Sequence, residues 1–426
     1  MINTASLRAI NGSKFSQRFI RPRYDSYCFS NLPPTLEFLL TGKGQSALPP
    51  DVFGNLPTRY DTVIFFFVDA FGWRFFERYA ERYSFLKTIL TDGVVSKLTA
   101  QFPSTTAAHV TCIHTGLDVG QSGVYEWNYY EPLVDEIITP LLFSFAGDKI
   151  VRDTLKRSGL PSAAFFPQQT FYNTLREHGI TSHVLQYQAY TPSTYSDIVF
   201  RGATVYPYQS LQDAFSRLAT MVTSGRSSPT YYYLYIDRID TICHNHGPTS
   251  KQADEAVEKL LTAMDQYFYK VVRGKAGNTL LIMTADHGQV EVDPHSTYYL
   301  NQRIPGIARY MKTNKHGHPL VPAGSARDMF LYVKEEYIDE AVAELQRRLV
   351  DRAEVYKTQD LLAQRFFGLH EPSPVFLARL GNVVILPYKY ETIWWYEEGK
   401  FEMHFQGHHG GLTADEMEIP LLLLPL

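Results

Sequence analysis

Three stretches of this chain share one form, an apolar run closed by a carboxylate: TVIFFFVDA (62–70), SPTYYYLYID (228–237) and GNTLLIMTADHG (277–288). Their hydrophobic residues are continuous rather than alternating. That pattern suits strands buried on both faces, which occur mainly in parallel sheets covered by helices on either side. Helical patterns follow them. GWRFFERYAERYSFLKTIL comes after the first, and SKQADEAVEKLLTAMDQYFYKVV (250–272) separates the other two, with Ala256, Leu260, Ala263, Met264 and Phe268 on one stripe. DMFLYV and EEYIDEAVAELQRRLV add a later strand–helix pair. The expectation is an α/β fold, a mostly parallel central sheet with helices on both faces. Residues 289–325, rich in Pro, Gly and His, break the rhythm and read as a cap or insertion loop within a single domain spanning 1–426. The terminal IPLLLLPL reads as a buried strand or a packed tail.

Composition removes several function classes. The 426 residues carry a net charge of −4, with Lys and Arg dispersed, so neither a nucleic-acid polymer nor an anionic membrane surface is an expected partner. No apolar run approaches the roughly 20 residues of a membrane helix. The first thirty residues hold no apolar core of signal-peptide length. Cys28, Cys112 and Cys243 show no pairing or C-x-x-C spacing, which suits a reducing compartment, and the expected location is cytoplasmic.

In doubly wound sheets ligands bind beyond the carboxyl ends of the strands, so residues that punctuate those ends draw attention. Asp69 closes the first strand. Asp240 and His244 follow the second in DRIDTICHNHGP, Asp286 and His287 close the third, and FQGHHGGLTADEMEIPLL places His408 and His409 before a Gly pair. A strand-end Asp alone is commonly a helix cap, and His-His-Gly-Gly alone is an ordinary loop. Together they put carboxylates and imidazoles at one sheet edge. That donor set suits a pair of borderline-soft divalent ions such as zinc, which clamp the attacking and leaving oxygens of an in-line displacement when about 4 Å apart. FPSTTAAHVTCIHTG (102–116) brings Ser104, Thr105 and Thr106 to a helix mouth. Two readings stand there: capping of the free amides, or a nucleophile beside an anion-binding helix terminus.

The order Asp, P-x-x-T, D-x-x-x-H, D-H-G and a late H-G resembles the nucleotide pyrophosphatase/phosphodiesterase family of the alkaline phosphatase superfamily. The resemblance runs from residue 62 to about 420. It implies an alkaline phosphatase-like fold and a phosphodiesterase acting on small phosphodiesters or nucleotides. It also implies Thr106 as a nucleophile that forms a phosphothreonine. One metal would be held by Asp69, Asp286, His287 and the Thr106 hydroxyl, the second by Asp240, His244 and His409. Two divalent ions, zinc foremost, are the expected cofactors. Tyr235 falls where the family places an aromatic beside the substrate. Ser104 and Thr105 are left to the turn and cap.

Ala107 and His109 replace the Phe and Asn the family often carries after its nucleophile, so His109 becomes the candidate donor to a phosphoryl oxygen. His246, His404 and His408 are spare imidazoles. From Phe102 to Tyr130 there is no Arg or Lys, which favours the single charge of a diester over the dianion of a monoester. Arg238 and Arg303 could fold in from elsewhere, and Tyr125, Trp127, Tyr129 and Tyr130 could wall the second ester group. The alternatives are a phosphomonoesterase or phosphosugar mutase of the same superfamily, whose C-terminal segment HHGGLTADEMEIPLL resembles, and a non-catalytic metal-binding protein.

Overall fold

The computed structural model of the protein describes residues 1–148, 151–224 and 228–426. Two sheets carry the architecture. Their strands, in chain order, are β1 (Thr62–Val68), β2 (Val94–Thr99), β3 (Thr181–Tyr187), β4 (Thr204–Tyr208), β5 (Thr230–Ile236), β6 (Thr279–Thr284), β7 (Met329–Leu331), β8 (Ala353–Lys357), β9 (Val383–Pro387) and β10 (Glu418–Pro425). The central sheet has seven strands in the order β2-β10-β6-β1-β5-β3-β4. β1 is parallel to β5 and β6, and β3 is parallel to β4 and β5. β10, the expected IPLLLLPL strand, enters antiparallel between β2 and β6.

Every residue of β1, β5 and β6 is buried, which is why these strands lack a polar face. Alternate side chains of β1 feed two helical layers. Phe66 packs on Phe215 and Phe268 on one face, and Phe67 meets Phe29 on the other. Burying such a ring stabilises by about 2–3 kcal/mol. The stripe at 250–272 forms as an α-helix at Lys251–Ala263, capped by the Ser250 side chain, and continues through a π-helical turn at Met264–Tyr269.

The later strand–helix pair does not extend this sheet. β7 joins an antiparallel sheet in the order β7-β9-β8. A second core gathers there, with Leu300, Met311, Met329, Leu345, Ile385 and Trp394 among its members. The interruption expected over 289–325 is thus the opening of a larger excursion between β6 and β10. A short apolar run with a following helix looks the same whichever sheet it joins, because partner choice is a long-range decision. The excursion is pinched at its neck. Val290 pairs with His408 and Glu291 with Gly407, and the Val292 amide donates to the Gln406 carbonyl at 2.9 Å. Among the described residues no helix is long and apolar enough to cross a membrane.

Candidate active site

Because β6, β1 and β5 are neighbours, the residues that follow them meet at one edge. Asp69 comes one residue after β1, and Asp286 and His287 follow β6 directly after Ala285. The helix Arg238–His246 after β5 presents Asp240 and His244 one turn apart, with Asp240 Oδ1 3.4 Å from His244 Nε2. The pinched neck returns His409, whose Nε2 is 3.8 Å from Asp240 Oδ1. His287 Nε2 lies 3.5 Å from Asp69 Oδ1 and 3.4 Å from Asp286 Oδ2. Two sets of donor atoms converge to within 4.8 Å: Asp240, His244 and His409, and Asp69, Asp240 and His287. Asp240 belongs to both, between the two expected ligand groups.

The three imidazoles share one device. His244 Nδ1 bonds the Gly407 carbonyl at 2.8 Å, His287 Nδ1 that of Gly288 at 3.0 Å, and His409 Nδ1 that of Ser104 at 3.0 Å. A carbonyl can only accept, so each Nδ1 carries the proton and each Nε2 lone pair is free for a metal. Burial pushes His287 and His409 well below the ordinary imidazole range, which keeps them neutral. The carboxyls go the other way. Burial, then the charges of Asp286 and Asp240, raise Asp69, and burial raises Asp286 to about 7. Asp69 Oδ1 and Asp286 Oδ2 are buried without a hydrogen-bond partner. Three carboxylates this close, with orphaned oxygens and neutral imidazoles aimed among them, fit cations and are poorly satisfied otherwise.

Thr106 opens the helix Thr106–Thr115, with Oγ1 3.2 Å from His287 Nε2 and 3.4 Å from Asp69 Oδ2. The capping reading does not hold. Thr105 is the residue at the cap, and no side chain caps that helix. Ser104 ties the turn to the returning C-terminal loop, its Oγ donating to the Gly411 carbonyl at 2.7 Å. Thr106 is the hydroxyl that reaches the carboxylate–imidazole cluster.

His109 is not brought to the site. Its Nε2 accepts from the Gln101 amide at 2.8 Å and its Nδ1 donates to the Thr105 carbonyl at 2.7 Å, so both ring nitrogens brace the backbone. Three residues along a helix points about 60° away from Thr106, into the core. Burial lowers its pKa to about 3. Tyr235 lines the cavity beside Thr106, and its hydroxyl donates to Asp69 Oδ2. His408 stays off the cluster, with Nδ1 engaged by the His409 backbone.

Two cavities flank Thr106. One, of about 200 Å³, includes Asp69, Val110, Trp127, Tyr190, Phe200 and Tyr235 in its lining. The other, of about 380 Å³, lies toward His244 and His409 and is closed by the excursion through Ser325, Trp394 and Phe405. Of the aromatic run, Trp127 alone lines either cavity. Tyr125 and Tyr129 are in the core, and Tyr130 turns to Asp135. Arg238 faces a different cavity, with Tyr187 and Tyr208, and Arg303 is exposed.

Several residues carried no sequence signal. Gln289 donates to Asp240 Oδ1 and holds that carboxylate in place. Glu126 lines the larger cavity, and burial raises its carboxyl to about 7. Burial and the Glu126 charge likewise raise Asp328. Arg152 lines the smaller cavity. Gln289 directly follows the D-H-G run but is not part of it, and Glu126, Asp328 and Arg152 lie in segments with no motif around them.

Residues 63–412 match the profile of the family described as type I phosphodiesterase / nucleotide pyrophosphatase. Ectonucleotide pyrophosphatase/phosphodiesterase family member 3 of Rattus norvegicus is 22% identical over 262 residues, 58% of this chain and 27% of that protein. The Mus musculus counterpart matches to the same extent, so the match spans about a quarter of the length of these relatives. Among solved structures, murine ectonucleotide pyrophosphatase/phosphodiesterase 5 superposes with a TM-score of 0.61 at 16% identity, covering 84% of this chain and 87% of that one. The human protein gives 0.58 at 18%, covering 85% and 87%. A murine form described as an inactive Thr-to-Ala variant in complex with AMP gives 0.60 at 16% identity, covering 84% and 87%. The fold is accordingly the alkaline phosphatase-like α/β fold.

Proposed function

The chain belongs to the family of type I phosphodiesterases and nucleotide pyrophosphatases, and from that premise we propose that it hydrolyses phosphodiester or phosphoanhydride bonds of small molecules, nucleotides among them. The observation that carries this is the place of Thr106. Its hydroxyl stands at the mouth of a helix whose first-turn amides have no side-chain cap, within 3.2 Å of His287 Nε2 and 3.4 Å of Asp69 Oδ2. A helix N-terminus attracts the phosphoryl group, and the hydroxyl is already inside the carboxylate–imidazole cluster whose bound cations would neutralise it.

Asp69, Asp286 and His287 with the Thr106 oxygen would hold one divalent ion, and Asp240, His244 and His409 a second, zinc being the expected identity. Bound there, the ions supply charge neutralisation on the phosphoryl oxygens and lower the pKa of an attached hydroxyl. The chain's own part follows. The Thr106 oxygen forms a bond to phosphorus while the ester or anhydride bond opposite it breaks. Water then cleaves the phosphothreonine and restores the hydroxyl. Tyr235 holds Asp69 in register through its hydroxyl, and Gln289 does the same for Asp240. The AMP complex of the murine relative agrees with a nucleotide-sized occupant, and its inactive Thr-to-Ala change with a threonine nucleophile. Placement in a reducing compartment rests on three thiols that are all buried and unpaired.

The test is turnover of bis(p-nitrophenyl) phosphate by metal-loaded protein. Thr106→Ala is expected to lose about a thousandfold or more in kcat while keeping its metal content. The wild type is expected to favour this diester over p-nitrophenyl phosphate by at least about tenfold in kcat/KM, roughly 1.4 kcal/mol in the transition state. Near-normal turnover by Thr106→Ala, or a clear monoester preference, overturns the reading.

A further inference from the structure

The cavity of about 200 Å³ beside Thr106 is walled largely by apolar and aromatic side chains, Trp127, Leu142, Tyr190 and Phe200 among them. One Arg and no Lys appear among the described residues that line it, and that Arg is Arg152. Its guanidinium lies over the Tyr190 ring, 5.8 Å from the centroid. Tyr190 is itself held, donating its hydroxyl to Asp237 Oδ2 at 2.5 Å. The adjacent carboxylate, Asp153, is taken by Lys156 Nζ at 2.7 Å and Thr194 Oγ1 at 2.6 Å. Among the described residues Arg152 itself makes no hydrogen bond and no ion pair. Its charge acts on Asp153 at a distance, but a half-buried guanidinium stacked on a fixed ring, with five donors unspent among the described residues, is arranged to meet a planar or tetrahedral oxyanion with two parallel bonds.

With the divalent ions of the reading above bound, the cluster around Thr106 would supply the positive charge for the scissile phosphoryl group, so a guanidinium in the same cavity is left to serve something else. We propose that Arg152 receives a second anionic group, a carboxylate or phosphate carried on the substrate arm seated in this cavity. The substrate class is then diesters or anhydrides with a negative charge beyond the one at the scissile phosphorus. This rests on the diesterase reading above and narrows it.

A matched pair of substrates tests it: p-nitrophenyl 4-carboxyphenyl phosphate and p-nitrophenyl 4-carboxamidophenyl phosphate, nearly equal in size and differing by one charge. The wild type is expected to favour the carboxylate by roughly tenfold in kcat/KM, in keeping with a charge-assisted bond partly screened by solvent. In Arg152→Gln the ratio should fall to near one, and Arg152→Lys should keep part of it. Melting temperature and metal content report that each variant is folded and loaded. A wild-type ratio near one, or a preference that survives in Arg152→Gln, overturns the assignment and leaves the diesterase reading standing. A wild type that cleaves neither substrate overturns both.

Discussion

Each imidazole at the site gives its Nδ1 proton to a backbone carbonyl, and that single hydrogen bond decides which nitrogen is left for a metal. Sequence shows only that a histidine is present. For two of the three the carbonyl that fixes the tautomer comes from a remote segment, Gly407 for His244 and Ser104 for His409, while His287 uses its neighbour Gly288. The same holds for Tyr235, which sequence placed beside the substrate and which the fold also ties to Asp69. Partners that orient metal ligands typically matter 10–100-fold in affinity. Tyr235→Phe is therefore expected to bind metal at least about tenfold more weakly, read by competition with a chelator, and unchanged affinity would show that Asp69 needs no such brace. His409→Ala should lose close to one ion per chain by elemental analysis, while His408→Ala keeps its full complement. Equal losses would mean that His408 is a ligand too.

At the scale of elements, two segments far apart in sequence build the surroundings of Thr106 together. The helix Thr106–Thr115 supplies Thr106, and the loop that leaves the pinched neck supplies His409 and locks to Ser104 through backbone and side chain. Gly410 makes that lock possible. Its φ is +127°, and a Cβ there would stand 2.5 Å from Ser325 Oγ and 2.6 Å from Asp328 Oδ1. Gly410→Ala is expected to cost about 1–3 kcal/mol in stability and to lower metal occupancy, since relief of the clash moves the neighbouring His409. Calorimetric melting with metal analysis checks this, and an unchanged melting temperature would show that the loop absorbs the methyl group. The Gly pair in HHGG was visible in sequence, but the reason for it was not, because Ser325 and Asp328 come from the excursion.

For the molecule as a whole, buried acids couple the site to the stability of the fold. Burial raises the Glu126 carboxyl from its ordinary 4.5 to about 7, so between those values the folded chain holds a proton that the unfolded chain has released. That contribution is complete below about pH 4.5 and is lost as pH rises toward 7. Glu126→Gln removes it, so the variant's melting temperature relative to wild type should climb between pH 5 and pH 8. A difference that stays flat would show that Glu126 is not held protonated. No such behaviour could be read from the segment GVYEWNYYEP, whose aromatic residues suggest a cavity wall but which shows nothing of the burial of Glu126. What the chain alone determined was the buried strands, their order of acidic endings, and the set of carboxylates and imidazoles from Asp69 to His409 that the fold gathers at one edge. Continuous apolar runs and strand-end carboxylates are local patterns, and a metal-binding donor set survives as spacing along the chain. Tertiary structure alone decided that β7 leaves the central sheet and that His109 braces the backbone. It decided that the excursion closes the larger cavity and that Arg152 enters the smaller one. Each of these is a contact between distant segments, settled by which surfaces can be buried together, and no local window of sequence carries that information.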